Sequence, residues 1–176
     1  MTVHQTTLEL QSHGGTPSFI NVTDQVREAV AASGITNGLA AVMSPHTTCG
    51  VYFDEWVHDE YEDGTDYLQG DLNAVLGKIV PEQHDFPPAD GYHYPGIKHF
   101  EEVETWPSAK EYLPGGDRSQ LLNVDAHLKS TIIGSSQVFP VTDGKLAFGV
   151  TGYIFFVDFD RARARTRKCQ VTIIGE

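Results

Sequence analysis

At 176 residues, 40% hydrophobic and 20% charged, the chain has the size and make-up of one globular domain and not of a disordered segment. Its 12 Lys and Arg against 24 Asp and Glu give a net charge of −12, which opposes attraction to nucleic acid or an anionic membrane, so neither is expected as a partner. The longest nearly apolar run, residues 146–157, is too short to cross a bilayer, and the opening Met-Thr-Val-His-Gln lacks the basic and apolar regions of a secretory signal. A cytoplasmic location is therefore expected, with Cys49 and Cys169 remaining thiols.

Residues 3–10 alternate with period two, which favours a strand. Residues 23–33 read as a first helix, with Thr23 as N-cap, Asp24 in the first turn, Val26, Ala29 and Val30 as the apolar face, and Gly34 as the stop. Short strands are expected at 38–43 and 50–54, flanking a loop that holds His46. A second helix over 67–79, capped by Asp66 and ended by Pro81, places Leu68, Leu72, Val75, Leu76 and Ile79 at helical spacing.

Residues 81–120 differ from the rest. They hold six of the nine prolines and a series of aromatic residues: Phe86, Tyr92, Tyr94, Phe100, Trp106 and Tyr112. So long an irregular stretch is usually functional when ordered, and the aromatics imply a packed excursion and not a free linker. A third helix follows over 123–133, capped by Asn123 and stopped by Gly134, with Val124, Leu128 and Ile132 as its buried stripe. Strands at 135–141, 145–149, 152–159 and 163–174, with a turn at Asp143-Gly144, read as an antiparallel meander. The expected architecture is α+β: a mainly antiparallel sheet with about three helices, one domain over 1–176, and an irregular excursion at about 82–120.

Three segments could carry chemistry. The loop Ser44-Pro45-His46-Thr47-Thr48-Cys49-Gly50 brings together an imidazole, hydroxyls and a thiol, suited to metal binding, proton transfer or phosphate contact, or to satisfying its own backbone. His127 lies on the third helix with Asn123 and Thr131 on one polar face. The helix N-terminus disfavours a charged ring there, so a neutral, ligand-competent imidazole is expected, or else a plain surface histidine. Arginines at 161, 163, 165 and 167 would share one face of a strand. Adjacent guanidinium groups repel unless anions meet them: a phosphate ligand, the chain's own carboxylates, or those of another subunit. The Gly-Gly pairs at 14–15 and 115–116 lack the spacing of a phosphate loop, and no zinc-finger spacing or serine nucleophile elbow is present.

In this order the segments resemble the YjbQ-like family, whose members are often labelled secondary thiamine-phosphate synthase. The matching pieces are Ser-Gly-Ile at 33–35, Pro-His-Thr-Thr-Cys-Gly at 45–50, Asp54-Glu55, the Asp71 helix leading to Val80-Pro81, and Asp-Ala-His-Leu-Lys-Ser at 125–130. Further on they are Gly-Ser-Ser at 134–136, Pro140-Val141, Gly144, Leu146, Gly149, and Asp-Phe-Asp at 158–160 through Arg163 and Arg165 to Ile-Gly-Glu at 174–176. Residues 82–120 fall outside the likeness.

The resemblance implies a homotrimer with a cleft near subunit boundaries, lined by His46, His127 and a third histidine from before the third helix. His84, His93 and His99 compete for that place, and His99, followed by Phe-Glu-Glu, fits the pattern best. It further implies an enzyme acting on a phosphorylated small molecule, with His46, His127, Asp54 and Glu55 as the catalytic set. Thr47, Thr48, Arg163 and Arg165 would hold the ligand, and His46, His99 and His127 a divalent metal, zinc or magnesium. A non-catalytic ligand-binding or structural homotrimer and a metal-dependent hydrolase are the alternatives. The family's Asn-Glu, its Trp-Gln and its Asp-Gly-Pro-Arg are here Asp54-Glu55, Thr151-Gly152 and Asp160-Arg161-Ala162-Arg163, so substrate choice is open to change.

Overall fold

Period-two burial runs the length of β1 (Thr2–Ser12), with His4, Thr6, Leu8, Leu10 and Ser12 turned inward. The strand pairs antiparallel with β8 (Arg165–Gly175) along its whole length, from Thr2↔Gly175 to Ser12↔Arg165. In the computed structural model, which describes residues 1–85 and 91–176, β8 lies between β1 and β3 (Gly38–Met43), followed by β5 (Ser136–Thr142) and β6 (Lys145–Leu146). A second sheet has the order β2 (Ser18–Asn21), β7 (Gly152–Asp158), β4 (Cys49–Glu55). Every strand pairing is antiparallel, so the α+β expectation holds.

The two sheets face each other across one core. Leu10, Val42, Val51, Phe139, Phe156 and Val171 are among its residues, and α1 (Thr23–Ser33) adds Val26, Ala29 and Val30. The outer face of the smaller sheet packs on α2 (Tyr67–Ile79) and α5 (Val124–Ile133) through Tyr52, Phe155, Val157, Leu76 and Ala126. β7 therefore buries Ile154 and Phe156 on one face and Phe155 and Val157 on the other. This explains its unbroken apolar sequence and corrects the expected meander. Of the four strands expected in it, β5 and β6 form a hairpin, through a turn with positive φ at Asp143 (50°) and Gly144 (71°). A strand apolar on both faces needs a layer on each side, so β7 leaves for the centre of the second sheet and β8 returns to the first.

Two further helices, α3 (Ile97–Thr105) and α4 (Ala109–Tyr112), lie in the excursion, making five α-helices among the described residues instead of about three. Phe100, Val103, Leu113 and Leu121 give the excursion a small core of its own, as expected of a packed excursion. Of its aromatic series, Phe86 lies outside the described residues.

Local rules held unevenly. Asp66 caps α2 by accepting from the Leu68 amide at 3.0 Å, and Gly34 ends α1 in the left-handed region. Thr23 does not cap α1: it is the first helical residue, and Asn21 Oδ1 accepts from its amide and its hydroxyl. Nor does Asn123 cap α5. Its amide group is drawn away to Asp160, and Gln83 Oε1 accepts from the Val124 amide at 3.1 Å. The stripe expected on α5 is also displaced. Leu128 and Ile132 are 42% and 56% exposed, while Val124, Ala126, Lys129 and Ser130 are buried; of these Ala126 packs against the smaller sheet, where a small residue allows close approach. Val75 and Ile79 of α2 likewise face outward. Cys49 and Cys169 are free and buried, and burial pushes the Cys169 thiol up to about 12.

Candidate functional site

The loop between β3 and β4 folds on itself. The His46 amide donates to Ser44 Oγ at 3.1 Å and the Cys49 amide to the His46 carbonyl at 3.2 Å. The His46 ring is thereby laid against β8, where Nε2 accepts from the Lys168 amide at 2.9 Å. A backbone amide can only donate, so Nε2 carries no proton and the neutral ring holds its proton on Nδ1. Burial, then the Arg167 charge, lowers the His46 pKa from its ordinary value. The Thr47 carbonyl accepts from Ser130 Oγ at 2.5 Å and from the His127 ring, tying the loop to α5. Burial also lowers the pKa of His127, against an opposing pull from Asp160.

The excursion supplies the facing wall. Tyr94 Oη lies 3.1 Å from His99 Nε2, and the Tyr94 ring meets His127 edge-on at 5.4 Å between centroids. Gln83, besides capping α5, donates to the Tyr94 carbonyl at 2.5 Å. One buried side chain thus couples the helix bearing His127 to the segment bearing Tyr94.

Between these walls lies a cavity of about 570 Å³ whose lining includes His46, Thr47, Thr48, His99, His127, Arg163 and Arg165. Asp54 and Glu55 are not part of it. They end β4, which starts at the cavity, and a strand rising ~3.3 Å per residue carries them roughly 20 Å away. His84 lines a separate cavity of about 240 Å³ beside Arg161, and His93 is exposed and lines neither. Tyr94, Trp106 and Tyr112, given no site role from the sequence, line the large cavity. Their signal was the aromatic series itself.

The four arginines do not share a strand face. β8 begins at Arg165, not at residue 163, because the chain before it turns: the Arg161 carbonyl accepts from the Gly15 amide at 2.8 Å. Gly14, at φ 73°, passes so close that a Cβ would lie 2.7 Å from the Arg163 carbonyl carbon and the Ala164 amide nitrogen, so the β1–β2 turn fixes the Arg163 segment. Arg167 is buried and grips Asp158 through Nε at 2.6 Å and Nη2 at 2.9 Å, with Nη2 also 3.3 Å from Thr48 Oγ1. Arg165 pairs with buried Asp160 at 2.8 Å, and Arg161 with Glu82 at 3.2 Å and Asp125 at 3.5 Å. Arg163 differs: it donates to Gln120 Oε1 at 3.3 Å and to the Glu111 carbonyl, and no carboxylate pairs with it among the described residues.

Among the described residues no three His, Cys, Asp or Glu side chains are gathered tightly enough to hold one metal ion. His46 Nε2 is committed to an amide and His99 Nε2 to Tyr94, so the three histidines line one cavity without forming a ready set of three ligands.

The description of the UPF0047 protein YjbQ-like family matches residues 6–176. The chain belongs to this YjbQ-like family. A UPF0047 protein of Archaeoglobus fulgidus is 33% identical over 147 residues, covering 84% of this chain and 85% of that one. YugU of Bacillus subtilis, also a UPF0047 protein, is 27% identical over 157 residues, covering 89% of each. A crystal structure of an uncharacterized conserved protein of the YjbQ/UPF0047 family from Clostridium acetobutylicum superimposes with a TM-score of 0.63 at 29% identity, covering 95% of this chain and 99% of that one. The YjbQ-like resemblance read from the motifs is thereby shown, and the fold is the one these relatives share. Among the described residues no helix is long and apolar enough to cross a membrane.

Proposed function

We propose that the large cavity binds a phosphorylated small molecule, with Arg163 meeting its phosphate. The observation that carries this reading is that Arg163, alone of the four clustered arginines, has no carboxylate partner among the described residues, yet lines the cavity. A guanidinium held only by neutral acceptors has its charge unbalanced, and a phosphate would add ion-pair attraction and a bidentate match to its planar fork. Beside it, Arg165 Nε is buried with no hydrogen-bond partner among the described residues, an uncommon state for a charged donor. His46 offers Nδ1–H as a donor, and the Thr47 hydroxyl lies on the same wall.

The chemistry at hand is proton transfer next to a bound anion. His127 is held neutral and can accept a proton, and the Tyr94 hydroxyl, beside His99, can give one to a departing oxygen. A transferase of the thiamine-phosphate synthase type, in which the carbon–oxygen bond to a phosphorylated leaving group breaks as the acceptor bonds to that carbon, would use a cation and a proton donor at the departing oxygen. Titration of inorganic phosphate at fixed ionic strength tests the binding reading; absence of saturable binding at millimolar concentrations rejects it.

A homotrimer is also proposed. The larger sheet covers its inner face with the core and leaves its outer face open. The register sets Val3, Ile174, Leu39 and Pro140 in one row across β1, β8, β3 and β5, with Val138 two residues further along β5. Leu39 and Val138 are 48% and 57% exposed, a contiguous apolar surface of the kind that marks subunit contacts.

A further inference from the structure

The cavity is built in two halves of different chemistry. The half from the sheet loops is cationic and polar: His46, Thr47, Thr48, Arg163 and Arg165. The half from the excursion is mainly aromatic: Tyr94, Trp106 and Tyr112, with Val103 and Leu121, and besides these only His99 and Glu111. Trp106 and Tyr112 meet edge to face at 5.3 Å, both line the cavity, and they remain 36% and 40% exposed in a segment whose Phe100, Val103 and Leu113 are buried. Trp106 is further fixed through Nε1, which donates to Glu102 at 3.3 Å, and Tyr94 by His99 and Gln83. Rigid aromatic rings left open on a cavity wall are contact surface at low entropic cost.

From this division we infer that Trp106 and Tyr112 determine specificity by reading the organic part of the ligand, and that they select an aryl phosphate ester over an aliphatic one. The inference rests on the phosphate reading of Arg163 and goes beyond it: phosphate fixes one end, and an aromatic ring packs against Trp106 and Tyr112 at the other. Offset or edge-to-face ring contacts contribute beyond buried area, enough for roughly tenfold in affinity. The selecting residues lie in the excursion, apart from the motif segments that hold His46 and His127, although the family match spans residues 6–176. Ligand choice in this chain is then set by side chains other than those two histidines.

Calorimetric titration of the full chain with inorganic phosphate, glycerol phosphate and phenyl phosphate tests this. Phenyl phosphate is expected to bind about tenfold tighter than glycerol phosphate. Trp106→Ala and Tyr112→Ala are each expected to bring that ratio towards one, and Trp106→Phe, which keeps a ring, to retain most of it. Thermal unfolding of each variant checks that the excursion stays folded. Equal affinity for the two esters in the wild type, or an unchanged ratio in both alanine variants, overturns the inference while leaving the phosphate site standing. Failure of all three probes to bind overturns both.

Discussion

Arg163 and Arg167 stand four residues apart and are held in opposite ways. Arg167 closes a buried pair with Asp158, which also accepts from the Cys49 thiol and the Asp160 amide. Its replacement by alanine strands a carboxylate in the core and is expected to cost about 3–5 kcal/mol in urea unfolding. Arg163→Ala removes two hydrogen bonds to neutral acceptors and should cost about 1 kcal/mol. Near-equal losses would mean that the ion-pair assignments are wrong. The histidines add a pH dependence. His46 and His127 have native pKa values below the ordinary 6.5, so between that value and the lower native ones the unfolded chain binds protons that the native chain does not. Stability from these rings is thus complete above pH 6.5 and lost as pH falls through the native pKa. Replacing both with glutamine should flatten the stability decline between pH 7 and 5, and an unaltered slope would contradict the neutral assignment.

At the scale of elements, α5 depends on a residue 41 positions before its first turn. Gln83→Ala removes the acceptor for the Val124 amide and the donor to the Tyr94 carbonyl, and should destabilise by about 1–2 kcal/mol. Asn123→Ala tests a different bond, the one to Asp160, and leaves the cap intact. Gly14→Ala adds a methyl against the Arg163 backbone at positive φ, so it should lower stability by more than ~1 kcal/mol and weaken phosphate binding as well. Normal phosphate affinity in a folded Gly14→Ala protein would show that the turn does not position Arg163. Much at this scale was legible in the sequence: α1, α2 and α5, β3 and β4, and the Asp143-Gly144 turn follow from apolar period and from Gly and Asp chemistry. The caps of α1 and α5 were not, because the acceptors come from Asn21 and Gln83, outside the positions a local rule inspects. The sheet order was not legible either, since a strand apolar on both faces does not announce which sheet it enters.

Over the whole molecule, the histidines could be named from motifs, but their meeting at one cavity depends on tertiary contacts such as Thr47 with Ser130 and Tyr94 with His99. The distance of Asp54 and Glu55 from that cavity follows from the length of β4, a seven-residue strand that cannot bring both ends to one site. The open face of the larger sheet has its own test. Light scattering should give three times the mass of one chain, and Leu39→Asp should reduce it by placing a charge in the apolar row. A single-chain mass for the wild type at micromolar concentration would contradict the trimer. The most direct measurement of the phosphate site is a titration of inorganic phosphate, at fixed pH and ionic strength, into the wild type and Arg163→Lys. Lysine keeps the charge and loses the planar fork, so the variant is predicted to bind about tenfold more weakly than the wild type. Equal affinity in the two proteins would contradict the assignment of Arg163 as the residue that meets the phosphate.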